Sequence, residues 1–492
     1  MDKREMPPPM RPSPPSPSRL ANPLARPLKA AAAAEETAPA GFKQDPVWVT
    51  ARDNPMRRMG FYIALIFIFF RFSLLHELMT VKLGFNTYIL YILGPPSLLF
   101  LLISGGFPRA LRSTTAKFWM AFTIWLLLCV PFSFWPGGSW PRAQSFLRTE
   151  IPMMLLVAGM AVTISDCMKI VSAVSMAAVF NVYMAYTFDN DDVFGRFNIA
   201  FSSIANANDM AAHLLLVLPI LAYYVIGPKK NILIRLGGGG LIALGLYLIF
   251  GTGSRGAMVS LLMMILMVLW RGTGLQRIMI LVVAPVAFLA ITPFLPRLTV
   301  NRLLTVFSTQ EEEEETRSSR TKRMYLLTQS LKHTISHPIF GVGPDQFINY
   351  DGNEAVTNNR LGPWQVSHNA YTQVSSETGI PGFSFMIGGL LGTFLILNQL
   401  VTRLRKARDC LQVRQLRLLC FLLLLSQVSF CCSIFFLSLA YRFYLPFLSG
   451  LVIALRWAIQ NELPLIEKAA GAKDTRRPAM ANAPAAGALR PA

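Results

Sequence analysis

Long apolar segments recur along most of this chain, and they constrain its fold more than any other feature. A helix needs about 17–25 mainly apolar residues to cross a bilayer. Twelve candidate segments lie at 60–78, 87–105, 116–134, 150–165, 170–187, 209–226, 236–251, 256–270, 277–295, 380–401, 417–437 and 442–459. Backbone groups inside a bilayer must pair within their own segment, which favours helices. The pattern predicts an all-α polytopic membrane protein with about 12 transmembrane helices.

The balance of charge supports a membrane rather than nucleic acid as the partner of this chain. Only 15% of the 492 residues are charged and 53% are hydrophobic, whereas soluble domains carry about 25% charged residues. The net charge of +20 comes from Lys and Arg scattered between the apolar segments. Such charges mostly set membrane topology, so we expect contact with a lipid bilayer and no nucleic-acid partner.

The chain divides into five regions by composition. Pro, Ala and Arg dominate both ends, and such sequences cannot bury enough apolar surface to build a core. We therefore expect disordered cytoplasmic tails at 1–57 and 461–492. Between them we expect spans 1–9 at 58–295, one large, partly helical loop at 296–379, and spans 10–12 at 380–460.

The distribution of Lys and Arg between the predicted loops gives an orientation. With a cytoplasmic N-terminus, the cytoplasmic loops hold fifteen of these residues and the short outer loops hold six. Membrane proteins concentrate Lys and Arg in their cytoplasmic loops. Both termini are therefore expected in the cytoplasm, and the loop 296–379 on the outer, periplasmic side.

Polar motifs cluster on this outer side. They read GRFNIAFSSIANANDMAAH (195–213), GTGSRGA (251–257), SSRTKRMYLLTQSLKHTISHPIFGVGPDQF (318–347) and SHNAYTQVSSETGIPGF (367–383). Taken singly, Arg255 could snorkel to headgroups and the asparagines could cap a helix. Apolar residues at 324, 327, 331 and 335 predict an amphipathic helix that HPIFGVGP ends. We expect His333 and His337 to be ordinary surface residues.

The ordered set TGSRGA, HPIFGVGPDQF and HNAYTQVSSETGIPGF resembles the O-antigen ligase and polysaccharide polymerase superfamily, over roughly 195–400. NANDMA resembles that family's Asn-Pro-Asn stretch, with Ala207 where proline is usual. The resemblance implies a GT-C-like glycosyltransferase of the bacterial inner membrane. Such enzymes move a glycan from undecaprenyl pyrophosphate, on the periplasmic face, to a hydroxyl of lipid A–core or of another repeat unit. The family is regarded as metal-independent and inverting.

The residue types in these motifs suit that chemistry. Arginine stays charged and offers a planar fork to phosphate oxygens, and histidine can take the proton of an attacking hydroxyl. We therefore predict Arg255, Arg323 and His368 as catalytic residues. Substrate-binding residues are predicted at Arg196, Asn208, Arg320, Asn369 and Glu377. Either Arg320 or Arg323 supplies the loop arginine, and the family's usual distance to the proline of HPIFGVG favours Arg323.

No metal ion or cofactor is expected, because two guanidinium groups can replace a divalent cation at a pyrophosphate. The nearest acidic cluster, DNDD at 189–192, is typical of a solvated loop. Two other functions stay open. A transporter of a small solute would suit twelve spans, but transporter sites lie near the bilayer midplane, where Arg71 is the obvious charge. A non-catalytic scaffold of an envelope assembly would use the two tails to recruit partners.

Overall fold

The computed structural model describes residues 44–188, 196–199, 201–228, 231–297, 299–300, 314–359 and 364–481, and within them the regular structure is helical, with no strand. The α-helices are α1 (Pro46–Asp53), α2 (Pro55–Ser73), α3 (Leu75–Leu83), α4 (Ile89–Ile103), α5 (Gly106–Ala110), α6 (Thr114–Cys129), α7 (Pro136–Ser145), α8 (Ile151–Met160), α9 (Ile164–Thr187), α10 (Ala207–Ile226), α11 (Ile232–Gly251), α12 (Arg255–Arg271), α13 (Gly274–Ile291), α14 (Glu314–Ser336), α15 (Phe347–Thr357), α16 (Ala370–Lys406), α17 (Leu411–Ser433) and α18 (Tyr444–Ala481).

Membrane-spanning helices dominate this architecture. Among the described residues, α6, α9, α10, α11, α13, α16 and α17 are long and apolar enough to cross a bilayer, and α2 with α3 forms a pair bent by 71° that would make an eighth span. The predicted class, an all-α polytopic membrane protein, is confirmed. The count of twelve stays a prediction. For example, α8 has ten residues, about 15 Å of helix at 1.5 Å per residue, roughly half of the ~30 Å hydrocarbon core.

The ordered helices extend beyond the predicted tail boundaries at 57 and 461. Asp45 caps α1 by accepting a hydrogen bond from the Val47 N–H. The Trp48 ring is 2% exposed and donates to the Val162 carbonyl at 2.8 Å. At the other end, α18 continues past residue 461, and Leu463 is 3% exposed. At the N-terminal end, a helix cap and the contact of a buried tryptophan stabilise a helix that has no long apolar segment. Residues 1–43 and 482–492 lie outside the described residues.

The core lies where the long helices pack side by side. Helix α16 packs on α6 and α17, α10 on α17, and α8 on α18. Hydroxyl groups join three of them, because Ser449 of α18 accepts from the Trp119 ring at 2.8 Å and bonds Thr393 of α16 at 2.6 Å. These contacts fix α16 at the centre of the protein. Since α14 packs along α16 and α12 packs on α17, the polar motifs are carried by a rigid frame.

Helix α16 is kinked near its start. Gly379 has φ of 70° inside the helix, and Pro381 follows two residues later. Residues 370–378 therefore form a short arm before the long apolar part. The predicted loop-to-span boundary, between 379 and 380, coincides with this kink. The predicted helix from residue 323 is confirmed as the second half of α14. Its predicted apolar face is not the packed one, because Met324, Leu331 and Ile335 are 57%, 47% and 80% exposed.

Candidate functional site

A cavity of about 290 Å³ lies where α10, α12, α14 and the start of α16 converge. Its polar lining residues are Asn208, Arg255, Arg320, Arg323, Ser367, His368 and Asn369. The structure thus brings together six of the eight predicted site residues, and Arg196 and Glu377 lie outside this lining. We call this space the arginine cavity, because the described residues that line it include three arginines and no carboxyl group.

Arg255 reaches the cavity from the first turn of α12. Gly253, with φ of 56°, lets the chain reverse after α11, a conformation that glycine adopts at little cost. The Ser254 side chain then caps α12 by accepting from the Ala257 N–H. A helix N-terminus carries unpaired N–H groups and a partial positive charge, which attract anions. Arg255 and the end of α12 therefore favour the same kind of ligand.

The loop helix α14 supplies two arginines rather than one. Arg320 and Arg323 are three residues apart, so they lie on one face of the helix, and both line the cavity. Arg320 is exposed and Arg323 is half-buried. The sequence left open which of the two arginines lines the site, and in the structure both do.

One wall of the arginine cavity is apolar. It consists of Val259 from α12, Met324 and Leu327 from α14, and Phe435 and Phe436 after α17. Phe435 is 50% exposed and Met324 is 57% exposed. A ligand with a charged head and a hydrocarbon chain would find both of its parts matched here.

His368 stands beside the arginines on a constrained backbone. Its φ of 51° is left-handed, which is uncommon outside glycine and is found at functional sites more often than elsewhere. Its N–H donates to the Ser438 hydroxyl at 2.9 Å. The next residue, Asn369, caps α16 by accepting from the Tyr371 and Thr372 N–H groups. Asn369 therefore fixes the start of α16 directly after His368, and it also lines the cavity.

Burial, and to a smaller extent the positive charge of Arg323, lowers the pKa of His368 to about 4. The imidazole is therefore neutral at neutral pH and has a lone pair free to accept a proton. An anion bound by the three arginines would add negative charge next to the imidazole and raise its pKa, toward the operating pH at which a general base is most effective.

Arg196 joins two parts of the site without lining the cavity. Its guanidinium donates to the Asn208 side-chain oxygen at 2.9 Å and to the Thr252 carbonyl at 2.8 Å. It ties the start of α10 to the turn before α12. The capping role considered for the asparagines holds for Asn206, which accepts from the Asn208 N–H at 2.9 Å.

Glu377 is buried away from the arginine cavity, with 3% exposure. Its carboxylate accepts from the Asp345 N–H at 2.9 Å. Three backbone hydrogen bonds surround this contact, from Val342 to Ser376, from Gly343 to Glu377 and from Ile380 to Pro338, at 2.8–3.0 Å. We call residues 338–345 with 376–380 the glycine clasp. The clasp holds the end of α14 against the kink of α16.

Two glycines make the clasp possible. Gly341 and Gly379 have φ of 66° and 70°. A Cβ atom on Gly379 would lie 2.0 Å from the Ile339 carbonyl oxygen, and one on Gly341 would lie 2.3 Å from the Glu377 carbonyl carbon. Both the backbone conformation and the close approach exclude a side chain. Much of HPIFGVGPD and of ETGIPG is therefore explained by chain packing.

One group of possible metal ligands occurs among the described residues, and it lies outside the arginine cavity. His333, Asp351 and Glu354 place their ligand atoms within 4.8 Å of one another. The prediction that His333 is a surface residue is wrong, because its side chain is 1% exposed and lies 3.3 Å from Asp351. Lys332 also pairs with Glu354 and offsets its charge. The DNDD stretch at 189–192 lies outside the described residues.

Residues 240–387 match the family model described as O-antigen ligase. The chain carries an O-antigen ligase domain. The matched segment runs from α11 to beyond the kink of α16 and includes Arg255, Arg323 and His368. No curated protein sequence matches the chain. An O-antigen ligase domain on apolar transmembrane helices makes this a membrane protein with a ligase- or polymerase-like role in polysaccharide biosynthesis.

Sequence reasoning did not select several polar residues next to the arginine cavity. Arg142, Asp345, Gln373 and Arg442 line a second cavity that shares His368 with the first. Two of them carried a usable signal, since Arg142 and Arg442 are positive charges in loops predicted to be outer, where membrane topology does not require them. Gln373 carried none, because a single glutamine in a helix is not distinctive.

Proposed function

We propose that this protein transfers a glycan from undecaprenyl pyrophosphate to an acceptor hydroxyl, on lipid A–core or on another repeat unit. The reaction would take place at the periplasmic face of the bacterial inner membrane. The observation that carries the proposal is the arginine cavity, where three arginines and a neutral histidine face one space. The family assignment of residues 240–387 supports it.

The donor fits the arginine cavity in both of its chemical parts. Arg255, Arg320 and Arg323 can bind the pyrophosphate oxygens, and α12 adds its N-terminus. The apolar wall around Phe435 and Phe436 suits the isoprenoid chain. Negative charge grows on the leaving phosphate oxygen as its bond to the sugar breaks, so fixed cations stabilise the transition state more than the ground state.

His368 is assigned to the acceptor. The hydroxyl oxygen of the acceptor forms a bond to the anomeric carbon, and the bond from that carbon to the phosphate oxygen breaks. The electron pair leaves with the lipid pyrophosphate, and the hydroxyl proton passes to the imidazole of His368. A single displacement of this kind inverts the anomeric configuration. Asn208 and Asn369 offer hydrogen bonds to the polar groups of the two substrates where these meet.

Metal independence is part of the proposal, because the arginines provide positive charge where other glycosyltransferases use a cation. Purified protein is incubated with lipid-linked donor and acceptor, with EDTA and with added Mg²⁺. We expect equal transfer in both and loss of transfer in His368→Ala. Transfer that EDTA abolishes and Mg²⁺ restores would replace the arginine mechanism by a metal mechanism. Uptake of a solute into proteoliposomes without glycan transfer would favour a transporter, and full function without Arg255 or His368 would favour a scaffold.

The proposed orientation is tested by labelling single cysteines in a background without the native cysteines. Asn358 is exposed at the end of α15, and Asp409 is exposed between α16 and α17. With the loop in the periplasm and both termini in the cytoplasm, Asn358→Cys reacts with a membrane-impermeant thiol reagent in cells whose outer membrane is permeabilised. Asp409→Cys reacts only after lysis. The reverse pattern would place the site on the cytoplasmic side and overturn the donor assignment.

A further inference from the structure

A second cavity, of about 240 Å³, lies on the other side of His368. His368 and Asn208 line both cavities, so they form the boundary between them. Ten of the thirteen residues that line the second cavity are polar or charged. We call it the mixed-charge cavity. Its volume falls just below the ~300 Å³ at which pockets for drug-sized ligands begin, which suits one sugar ring rather than an oligosaccharide.

The two cavities differ in the charges they present. The mixed-charge cavity has two arginines, Arg142 and Arg442, and two carboxyl groups, Asp209 and Asp345. In the part of the chain that the structure describes, the arginine cavity has three arginines and no carboxyl group. The arginine cavity therefore favours an anion, whereas the mixed-charge cavity offers both hydrogen-bond donors and acceptors.

Part of the mixed-charge cavity is held rigid by the glycine clasp. Arg142 pairs with the Asp345 carboxylate at 2.9 Å, and the Asp345 N–H is bound by Glu377. Asp345 has φ of 62°, a conformation that this network holds in place. The clasp thus positions a carboxylate and an arginine beside His368, which gives Glu377 an indirect part in the site.

Three polar atoms on this wall have no hydrogen-bond partner among the described residues. They are the Gln373 side-chain oxygen, in a side chain that is 4% exposed, the Nε of Arg142 and the Tyr441 hydroxyl. A buried polar atom left without a partner is costly. The glutamine oxygen accepts a hydrogen bond, the arginine Nε donates one, and the tyrosine hydroxyl can do either. A sugar hydroxyl can do both.

We propose that the mixed-charge cavity binds the acceptor as an uncharged sugar residue, with its attacking hydroxyl against His368. This inference rests on the proposed glycan transfer. Carboxylate, amide and guanidinium groups hydrogen-bond the ring hydroxyls, and the balance of charge disfavours a phosphorylated sugar. The donor pyrophosphate enters the arginine cavity, so the two substrates meet at His368 from opposite sides.

The test measures binding without turnover. Saturation-transfer NMR uses the purified full-length protein, inorganic pyrophosphate to fill the arginine cavity, and methyl glucoside, methyl galactoside, methyl mannoside and glucose 6-phosphate as probes. We expect at least one methyl hexoside to bind and glucose 6-phosphate not to bind. Gln373→Ala and the half-exposed Arg442→Gln should each weaken the hexoside about tenfold, the loss expected for one hydrogen bond. Both variants should bind pyrophosphate as the wild type does.

A matched pair of variants separates the two cavities. Arg320→Ala should weaken pyrophosphate and leave the hexoside unchanged. Asp209→Asn removes a carboxylate and should admit glucose 6-phosphate. Binding of no hexoside, or hexoside binding unaffected by both Gln373→Ala and Arg442→Gln, would overturn the acceptor assignment. A different result would contradict the proposed function, namely full glycan transfer by His368→Ala. The two failures can therefore be told apart.

Discussion

The arginine cavity and the glycine clasp are built from the same sequence motifs, yet they use them in different ways. In the cavity, Arg255, Arg323 and His368 face an open space of about 290 Å³. In the clasp, Gly341, Glu377 and Gly379 face other parts of the chain, at distances that leave no room for a ligand. Glu377 lies on the short arm of α16 and faces the chain, whereas His368 lies two residues before this arm and faces the cavity.

The difference shows what a motif can and cannot indicate. A segment such as HNAYTQVSSETGIPG carries one residue for chemistry and several that position it. Variants in the cavity are expected to lose activity while the protein keeps its stability. Variants in the clasp are expected to lose stability first. Activity and thermal stability, measured together for the same purified variant, separate the two regions.

The largest effect is expected for His368→Ala. Loss of a positioned general base typically costs about 10²–10⁴-fold in rate, and the cavity should still bind inorganic pyrophosphate because the arginines remain. The measurement is glycan transfer by purified protein at matched concentration. His337→Ala is the control, since His337 is half-buried on the same loop and outside the arginine cavity. If His368→Ala transferred glycan as fast as an active His337→Ala, the histidine would be removed from the mechanism.

Arg255→Lys is expected to lower transfer by about 10²–10³-fold, the usual cost of losing one transition-state donor. Lysine keeps the charge but cannot form the two parallel bonds of the guanidinium fork. Arg271→Lys, at the other end of α12, should be nearly neutral. Wild-type rates in Arg255→Lys would return this residue to a role in anchoring the helix to headgroups.

Gly379→Ala tests the clasp. The added Cβ meets a backbone oxygen at 2.0 Å in a left-handed conformation, so we expect about 1–3 kcal/mol of destabilisation and a lower melting temperature. Transfer per folded molecule should fall only a few-fold. Gly84→Ala is the control, because Gly84 has φ of 75° and nothing within 4 Å. Its ψ is 5°, whereas that of Gly379 is −176°, so this variant shows the cost of a positive φ alone, without the clash and without the glycine-only ψ of Gly379. If Gly379→Ala kept normal stability but lost transfer as strongly as the variants of the arginine cavity, Gly379 would act in the reaction rather than in the clasp.

Much of the fold could be predicted from the sequence, because apolar segments and turn residues are local signals. All twelve predicted segments overlap helices of the structure, and the loop helix and the kink boundary lie where the sequence indicated. The N-terminal tail boundary differed because Trp48 contacts Val162, 114 residues away, and because Asp45 caps its helix and Asn54 caps the next one.

The site was predictable only in part, for a physical reason. Arginine and histidine carry their chemistry in the residue type, and four of the six predicted residues that line the cavity are of these two types. Whether a polar residue faces a ligand or the chain depends on contacts between distant segments. Glu377 meets Asp345 across 32 residues, and His333 meets Asp351 within the loop. Neither pairing has a periodic signature.

The smallest effect is expected from pH, and it concerns the cavity alone. Burial and Arg323 lower the pKa of His368 to about 4, below the ordinary value near 6.5. Because the neutral imidazole is the active form, kcat/KM should stay level from pH 8 to about 5 and fall only as pH approaches 4. The kcat profile should fall at a higher pH, since bound pyrophosphate adds negative charge near the histidine and raises its pKa. Arg323→Gln removes one cation and should shift the kcat/KM profile upward in pH, whereas Gly379→Ala should leave its shape unchanged. A fall in wild-type kcat/KM centred near 6.5 would contradict the buried environment assigned to His368.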